Sequence, residues 1–287
     1  MIYLALSILI SSSLFVIFKL FEVYKINTLQ AIVVNYFVAF TIGYSLSEAK
    51  VGLTDIPQQP WFFGAIFLGF LFVSIFNVMA LTAQINGLSV ASVAGKMSVV
   101  IPVIFGIFVY NESIGFVKII GILLALIAVY LTSMKSGDFS KEKQMLIYPI
   151  LLFLGSGVID TSIKYIETTY VKQGGVPIFS ATIFGVAFIV GLVFVVYRTF
   201  KTKFVFQWKN ILAGITLGIP NYFSIVFLLK ALQTEGLESS TLFTVNNVTI
   251  VLLTTLFGLW LFKEKLQIKN WIGIAMAIIS IIIVTIA

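Results

Sequence analysis

Lys96 is the residue whose chemistry is hardest to explain by packing, because it stands inside a long apolar stretch of the chain. If that stretch is a helix beginning near residue 88, Lys96 lies about 12 Å along its axis, too deep for the ammonium group to reach water easily. Ser89 and Ser92 would share its helix face. A buried ammonium group on a polar face suits the binding of a carboxylate, a phosphate or another anionic group. The alternative is a structural ion pair with a neighbouring helix.

Asp160 and Lys164 form a second charged pair inside an apolar stretch. They are four residues apart with the acid first, the favoured order for pairing along a helix. Asp160 is therefore a candidate for coupling to a proton or a cation; in the alternative interpretation it only neutralises Lys164 or Lys96. Lys164 and, in the first apolar stretch, Lys19 are candidate contacts for a solute, although Lys19 could equally be an ordinary residue of the membrane interface.

Uncharged polar residues recur in the apolar stretches and extend this pattern. Any one of them is most simply explained by hydrogen bonding between helices, which contributes about 0.6–2 kcal/mol. As a converging set they predict a cavity that binds a solute, and a tyrosine ring in that set could stack on a planar solute. The candidate solute contacts besides Lys96, Lys164 and Lys19 are Ser92, Asn77, Asn221, Tyr222, Thr244 and Asn247.

The composition shows which solvent surrounds these residues. Of 287 residues, 60% are hydrophobic and 10% are charged, and the mean hydropathy is +1.12, whereas the apolar share of a soluble domain is about 45–50%. The apolar stretches are about 18–22 residues long, enough to cross a membrane as helices and too continuous for barrel strands. We predict an all-α integral membrane protein with ten transmembrane helices, at 3–21, 29–46, 61–82, 88–110, 116–134, 146–165, 177–197, 210–231, 239–262 and 270–287.

Missing residue types exclude several classes of function. The chain has no cysteine and no histidine, which excludes disulfides, thiolate or imidazole metal sites and Ser-His-Asp hydrolysis. No GxxxxGK[ST] motif is present, which argues against ATP as the driving force. The net charge of +7 comes from Lys and Arg beside the apolar stretches, which is typical of membrane topology signals and not of nucleic-acid binding. We expect no cofactor, no metal and no nucleic-acid partner.

Residues of the same type recur in the same order in both halves of the chain, at offsets of 145 and 152. Five spans per half is an odd number, so the second half would enter the membrane from the opposite face, as in the inverted repeats common among secondary transporters. We predict a five-helix repeat at 1–134, a polar loop at 135–145 and a second five-helix repeat at 146–287. The matched pairs are Ser11/Ser156, Lys19/Lys164, Glu22/Glu167, Phe105/Phe257, Gly106/Gly258, Glu112/Glu264 and Gly121/Gly273.

The sequence resembles the EamA-like transporters of the drug/metabolite transporter superfamily. The resemblance covers nearly the whole chain and rests on GLSVASVAGKMSVVIPVIFGIFVYNES, with Pro102 and Glu112, and on its counterpart KALQTEGLESS…GLWLFKEK…WIGIAMAI. It implies five plus five helices in inverted repeats, a central cavity lined mainly by spans 1, 3, 4, 6, 8 and 9, and alternating access. It implies no particular solute, since relatives carry amino acids, nucleotide sugars, phosphorylated sugars, choline and drugs.

The fifth and tenth spans are apolar on nearly every face. Each carries small residues four apart, Gly121 with Ala125 and Gly273 with Ala277, and such pairs let helices approach closely. We assign these spans to the scaffold or to a dimer contact, so that either a monomer or a homodimer fits the sequence.

The orientation in the membrane has two conflicting indications. Twelve of the 18 Lys and Arg lie in loops on the side of the loop between the first two spans, and five lie on the opposite side. By the positive-inside rule both termini are then outside. Characterised relatives mostly have both termini in the cytoplasm.

Together these features predict a multi-pass protein of the cell membrane, a secondary transporter that moves a small polar solute by alternating access. The solute would be anionic or zwitterionic, such as an amino acid, with a coupling ion or proton, and the partners would be this solute and the lipid bilayer. We do not expect an enzyme, because without His or Cys only Ser-Lys or Asp-based sites remain. The alternative is a non-transporting intramembrane protein, either an enzyme or an assembly subunit.

Overall fold

The computed structural model describes residues 2–47, 51–109, 115–133, 139–172, 175–201, 207–232 and 239–286. Within these ranges the chain is helical, with one short 3₁₀ helix at Ile56–Gln58 and no strand. The α-helices are α1 (Ile2–Val23), α2 (Thr28–Ser45), α3 (Phe62–Ile85), α4 (Leu88–Met97), α5 (Val100–Val109), α6 (Phe116–Ser133), α7 (Phe139–Tyr170), α8 (Val176–Lys201), α9 (Trp208–Leu232), α10 (Ser239–Phe262) and α11 (Ile268–Ile286).

Eight stretches of helix are long and apolar enough to cross a membrane. One of them combines α4 and α5, and the others lie in α1, α2, α3, α7, α8, α9 and α10. Two shorter segments, Ile119–Thr132 in α6 and Ile268–Ile283 in α11, are also apolar. Within the described residues the all-α prediction is therefore confirmed, and each predicted span overlaps one or two of these helices.

The fourth predicted span, 88–110, is not one continuous helix. α4 ends at Met97 and α5 begins at Val100, and the Ile101 N–H donates to the Ser98 carbonyl at 2.9 Å across the break. Pro102 explains the break, because its ring carries no N–H and clashes with the carbonyl four residues earlier in a regular helix. Lys96 consequently lies in the last turn of α4 and not in the middle of a helix.

The polar loop predicted at 135–145 is partly helical. α7 begins at Phe139, while its apolar segment begins at Leu146, the predicted start of the sixth span. Residues 139–145 contain no Gly or Pro and several good helix formers, so the helix continues beyond its apolar segment. Residues 134–138 lie outside the described chain.

The chain forms two compact units, and each takes segments from both sequence halves. Unit 1 comprises Met1–Leu20, Val78–Val158 and Phe223–Ala287, and unit 2 comprises Phe21–Asn77 and Ile159–Tyr222. α3 and α9 are each divided between the units, after residues 77 and 222.

In unit 1, α6 packs along α11, and α4 and α10 pack against each other and against this pair. Gly273 lies against the backbone of α6, where an added Cβ would stand 2.7 Å from the Thr132 nitrogen. Nearer the other end of the pair, Ser280 Oγ donates to the Gly121 carbonyl at 2.7 Å. Both glycines thus lie at a close contact between α6 and α11, as expected for small residues that let helices approach; the choice between scaffold and dimer contact stays a prediction.

In unit 2, α2 packs along α8 and also contacts α9, and glycines make both contacts close. An added Cβ at Gly191 of α8 would stand 2.6 Å from Val33 Cγ2 of α2. An added Cβ at Gly214 of α9 would stand 2.6 Å from the Ala31 carbonyl oxygen. Any side chain at these positions would push the helices apart.

Tyr36 of α2 fills the interior of unit 2. It is fully buried, and its hydroxyl donates to the Phe72 carbonyl of α3 at 2.8 Å. Its ring lies 5.5 Å from the ring of Phe76 and 6.1 Å from that of Phe184. One tyrosine thus links three helices by packing and by one hydrogen bond.

Candidate functional site

Unit 1 contains a polar pocket of about 280 Å³ where the ends of several helices meet. The end of α1, the turn between α3 and α4, the end of α6, and the loop from α10 into α11 surround it. Its polar lining consists of Lys19, Asn86, Thr132, Glu264, Lys265 and Asn270.

The Glu264 carboxylate is the central group of this pocket. Its Oε1 accepts a hydrogen bond of 2.7 Å from the Leu88 N–H at the start of α4, and its Oε2 accepts a longer bond of 3.4 Å from Ser89 Oγ. The first N–H groups of a helix have no partner within the helix and carry the positive end of its dipole. A carboxylate from the α10–α11 loop therefore caps α4.

Two glycines leave the space that the Glu264 side chain occupies. An added Cβ at Gly87, which has a φ of +108°, would stand 2.8 Å from Glu264 Oε1. An added Cβ at Gly258 would stand 2.5 Å from Oε2. The Glu264 N–H also donates to the Gly258 carbonyl at 3.0 Å, which folds the chain back over the end of α10. We call Glu264 with Leu88, Ser89, Gly87 and Gly258 the carboxylate cluster.

Lys19 and Gln84 connect α1 to α3 beside this cluster. Lys19 Nζ donates to the Gln84 carbonyl at 2.6 Å, and Gln84 Nε2 donates back to the Phe18 carbonyl at 3.1 Å. The Lys19 charge also acts on Glu264. Lys19 is thus placed in a polar pocket, as a solute contact would be, but its ammonium group already bonds to protein.

Burial raises the pKa of the Glu264 carboxyl above its usual value. The hydrogen bond from Leu88, the charge of Lys19 and the bonds from Ser89 stabilise the ionised form and oppose this rise. Desolvation is the largest of these effects, so the net shift favours the protonated carboxyl.

Lys96 and Ser92 lie in the same helix that Glu264 caps. Ser92 is fully buried and its hydroxyl donates to the Ser89 carbonyl at 3.1 Å, whereas Lys96 is half-buried near the break after α4. Ser98 Oγ donates to the Gly95 carbonyl at 2.6 Å, which satisfies one carbonyl of the last turn. Ser89, Ser92 and Lys96 therefore lie on one helix, as predicted, and Lys96 is near the carboxyl end of α4.

Among the polar residues of α10, Asn247 is half-buried and its Oδ1 accepts a bond of 3.4 Å from Asn246 Nδ2. The Oδ1 of Asn246 is buried and has no hydrogen-bond partner among the described residues. The backbone of Thr244 is helical, and its side chain lies outside the described part of the structure.

In unit 2, Asn221 has a structural partner. Its Nδ2 donates to Asn35 Oδ1 of α2 at 3.1 Å, and both side chains are buried. An added Cβ at Gly218, one turn earlier in α9, would stand 2.9 Å from the Asn35 carbonyl oxygen. This amide pair lies about one turn from a close glycine contact between α2 and α9, as expected for a bond that holds two helices together.

Tyr222 and Asn77 also have local contacts in unit 2. The Tyr222 ring lies beside Gly43 of α2, where an added Cβ would stand 3.1 Å from ring atom Cε2. Asn77 Nδ2 donates to the Val73 carbonyl of its own helix at 2.7 Å. Neither contact prevents a half-buried side chain from reaching a solute as well.

Asp160 and Lys164 both lie on α7 in unit 2, and both side chains are exposed. Their spacing puts them one turn apart on the helix, as the sequence predicts.

Sequence reasoning used Glu264 only as a marker of the repeat. Glu264 stands between Lys263 and Lys265, in a loop whose lysines are typical of membrane topology signals. The signal that could have revealed it is its match to Glu112 together with the glycine six residues before each of them. The same spacing of glycine and glutamate in both halves of the sequence predicts a local contact between the two residues. Glu112 itself lies outside the described chain.

Unit 2 has a separate cavity of about 330 Å³ with an apolar lining. Phe37, Phe40 and Phe188 contribute much of its wall. Its one lining hydroxyl, Thr182 Oγ1, already donates to the Ile178 carbonyl at 2.8 Å. This cavity therefore suits apolar groups better than a polar solute.

Comparisons with known proteins agree with the resemblance seen in the sequence. Residues 146–286 match the model of the EamA-like transporter family. An uncharacterized protein of Haemophilus influenzae is 29% identical over 289 residues, covering 97% of this chain and 95% of the relative. A solved crystal structure shares the fold with a TM-score of 0.61 at 13% identity, over 99% of this chain and 96% of that one.

Proposed function

We propose, from the premise that residues 146–286 belong to the EamA-like transporter family, that the whole chain is a secondary carrier of a small polar solute. The family match and the apolar helices support a multi-pass membrane transporter of the drug/metabolite type. The finer proposal is ten spans in two inverted repeats, alternating access, and an anionic or zwitterionic solute such as an amino acid. We place this carrier in the cell membrane, as a monomer or a homodimer.

One observation carries the proposal: the fourth span breaks between Met97 and Val100, directly after Lys96. Broken helices in transporters lie at solute sites, because a helix end presents backbone groups without intrahelical partners. The carboxyl end of α4 presents carbonyl groups, which attract an ammonium group or a cation. Lys96 beside it attracts a carboxylate. A zwitterion such as an amino acid would satisfy both.

The division into units supports the proposed repeat. The unit boundaries that cross the continuous helices α3 and α9 fall after residues 77 and 222. These positions are 145 apart, which is the offset that relates the first spans of the two halves. Matching division points are expected when two repeats fold alike. The divisions after residues 20 and 158 do not coincide at this offset.

The candidate contacts divide between the units. The candidates in unit 1 are Lys96, Ser92, Asn247, Thr244 and Lys19, and those in unit 2 are Asn77, Asn221, Tyr222, Lys164 and the proposed coupling residue Asp160. Within this set Lys96 and Ser92 are our first choice, because both are on the broken span. Asn221 is our last choice, because its amide already bonds to Asn35.

The test is uptake of a radiolabelled L-amino acid mixture by proteoliposomes, preceded by a thermal-shift screen of anionic and zwitterionic metabolites. Lys96→Gln should weaken solute affinity about tenfold or more, because a lost charge-assisted hydrogen bond costs about 1.5–3 kcal/mol. Lys269→Gln, an exposed lysine of α11, is the matched control and should leave affinity unchanged. Equal affinity in Lys96→Gln and the wild type would remove the site; no uptake of any solute would favour the non-transporting alternative.

A further inference from the structure

The polar pocket of unit 1 carries more positive than negative charge. Lys19 and Lys265 line it, and Glu264 is the one acid among its described lining residues. Both Glu264 oxygens accept bonds from the start of α4, at 2.7 Å from the Leu88 N–H and at 3.4 Å from Ser89 Oγ. The positive end of the α4 dipole offsets a negative charge at that point. The pocket therefore favours an anionic group.

Hydrogen bonds within unit 1 hold the walls of this pocket in place. Lys19 Nζ donates to the Gln84 carbonyl at 2.6 Å, an uncharged acceptor that does not neutralise the ammonium group. Asn270 Oδ1 accepts a bond of 2.8 Å from the Gln267 N–H, and Asn270 Nδ2 donates to the Thr132 carbonyl at 2.9 Å. These bonds tie the α10–α11 loop to the end of α6. A site whose walls are fixed in this way loses little entropy when a ligand binds.

Exposed aromatic rings indicate the depth of the pocket in the membrane. Trp260, in the last turn of α10, is 82% exposed, and Trp271, in the first turn of α11, is 47% exposed. They stand just before and just after the α10–α11 loop. Tyr130, near the end of α6, is 54% exposed. Trp and Tyr are enriched where their rings lie at the level of the lipid head groups, so the loop that lines the pocket lies at that level.

The size of the pocket suits one part of a phospholipid. Its volume of about 280 Å³ is just below the usual range of ligand pockets, about 300–1,000 Å³, so it fits a head group and not a whole lipid. The acyl chains would stay in the surrounding bilayer. Basic pockets between transmembrane helices bind anionic head groups, because ammonium groups form charge-assisted hydrogen bonds with phosphate oxygens.

We propose that the polar pocket of unit 1 binds the phosphate head group of an anionic phospholipid, with Lys19 and Lys265 as its cationic contacts. The ligand chemistry is that of a phosphate group, and a lipid is its source because the exposed rings of Trp260 and Trp271 put the pocket at the membrane surface. This inference does not depend on the proposed carrier function, and of the predicted solute contacts it involves only Lys19.

Native mass spectrometry of the purified protein in detergent measures this binding directly. The protein is titrated with phosphatidylglycerol, which has a net negative charge, and with phosphatidylcholine, which has none. We expect the tightest phosphatidylglycerol to bind about fivefold or more tightly than phosphatidylcholine, and Lys265→Gln to lose about fivefold of that affinity, because a basic residue near an anionic lipid contributes about 1 kcal/mol. The double variant with Lys19→Gln should lose more. Equal affinity for the two lipids would overturn the inference.

Lys269→Gln is the matched control. Lys269 is exposed and follows the same loop, but it is not among the residues that line the pocket. Its replacement should leave the affinity of the tightest phosphatidylglycerol nearly unchanged, because water and salt screen a charge outside the pocket. A loss as large as that of Lys265→Gln would reject the pocket, since diffuse attraction to a basic surface would then explain the binding. Lys265 is exposed, so Lys265→Gln should fold normally and decides the question even if the double variant does not fold.

Inorganic phosphate distinguishes a lipid from a free anion as the source of the phosphate group. Excess inorganic phosphate should not displace phosphatidylglycerol, because burial of the acyl chains in the detergent micelle or bilayer holds the lipid beside the pocket. Displacement at a phosphate concentration similar to that of the lipid would contradict the lipid assignment and indicate a soluble phosphate ligand. Neither titration measures uptake, so a failure of the carrier proposal leaves this inference standing.

Discussion

Units 1 and 2 both pack helices closely through glycines, yet they differ in the polar groups that they bury. Unit 1 holds an ionisable side chain, Glu264, between a helix start and an open pocket. A buried bond in unit 2, between the side chains of Asn35 and Asn221, is neutral. An amide does not titrate, whereas a carboxyl does. We therefore expect the Glu264 contact of unit 1, and not the amide pair of unit 2, to depend on pH.

The largest effect should come from filling the contact between α2 and α9 in unit 2. Gly214→Leu would place side-chain atoms where even a Cβ stands 2.4 Å from Val34 Cβ and 2.6 Å from the Ala31 oxygen. We expect a loss of about 1–3 kcal/mol or more, because backbone atoms cannot move aside cheaply. Thermal unfolding in detergent measures this. Gly95→Ala, with no atom within 4 Å of its Cβ position, should be neutral or raise stability by about 0.5–1 kcal/mol.

The next effect should come from breaking the amide pair of unit 2. Asn221→Leu leaves the Asn35 amide without its buried partner and should cost about 1–2 kcal/mol. The cost should be the same at neutral and at mildly acidic pH, because neither amide titrates. Asn77→Leu is the control, since Asn77 bonds within its own helix, and it should cost less. Equal losses of stability in the two variants would show that the bond between Asn35 and Asn221 does not stabilise the contact between α2 and α9.

The pH dependence of stability that comes from Glu264 in unit 1 should be a smaller effect. The pKa of Glu264 is raised in the folded protein, so its contribution to stability is fully present below the unfolded pKa and is lost as the pH rises through the folded pKa. Lowering the pH from neutral should therefore raise the melting temperature by this contribution. Glu264→Gln should abolish that part of the dependence, and Asn221→Leu should retain it. A wild-type dependence that survives in Glu264→Gln would place the responding group elsewhere.

The smallest effect should come from the scaffold bond between α6 and α11. Ser280→Ala removes the bond to the Gly121 carbonyl and should cost about 0.6–1 kcal/mol, the usual contribution of a hydrogen bond between helices in a membrane. Ser74→Ala is the control, because the exposed Ser74 hydroxyl bonds only to Phe70 of its own helix. Thermal unfolding of the two variants should differ by about this amount; identical melting temperatures would show that glycine packing alone holds the pair.

The sequence by itself determined the elements that lie in lipid. Apolar stretches of membrane-crossing length predict helices directly, because an unpaired backbone group in hydrocarbon is too costly for other structures. The small residues of α6 and α11 likewise predicted a close helix contact, since close approach needs only the absence of a side chain. The division of the fourth span was foreseeable from Pro102, whose effect is local, but the span was predicted as continuous.

Only the tertiary structure decided which polar side chains meet. Asn221 was predicted as a solute contact and its amide bonds to Asn35, which is 186 residues away in sequence. Glu264 was predicted as a repeat marker and caps a helix 176 residues away. The period of a helix gives the face of a residue but not its partner on another helix, because that partner depends on how helices distant in sequence pack. The sequence therefore singled out Lys96, but it did not reveal the carboxylate cluster around Glu264.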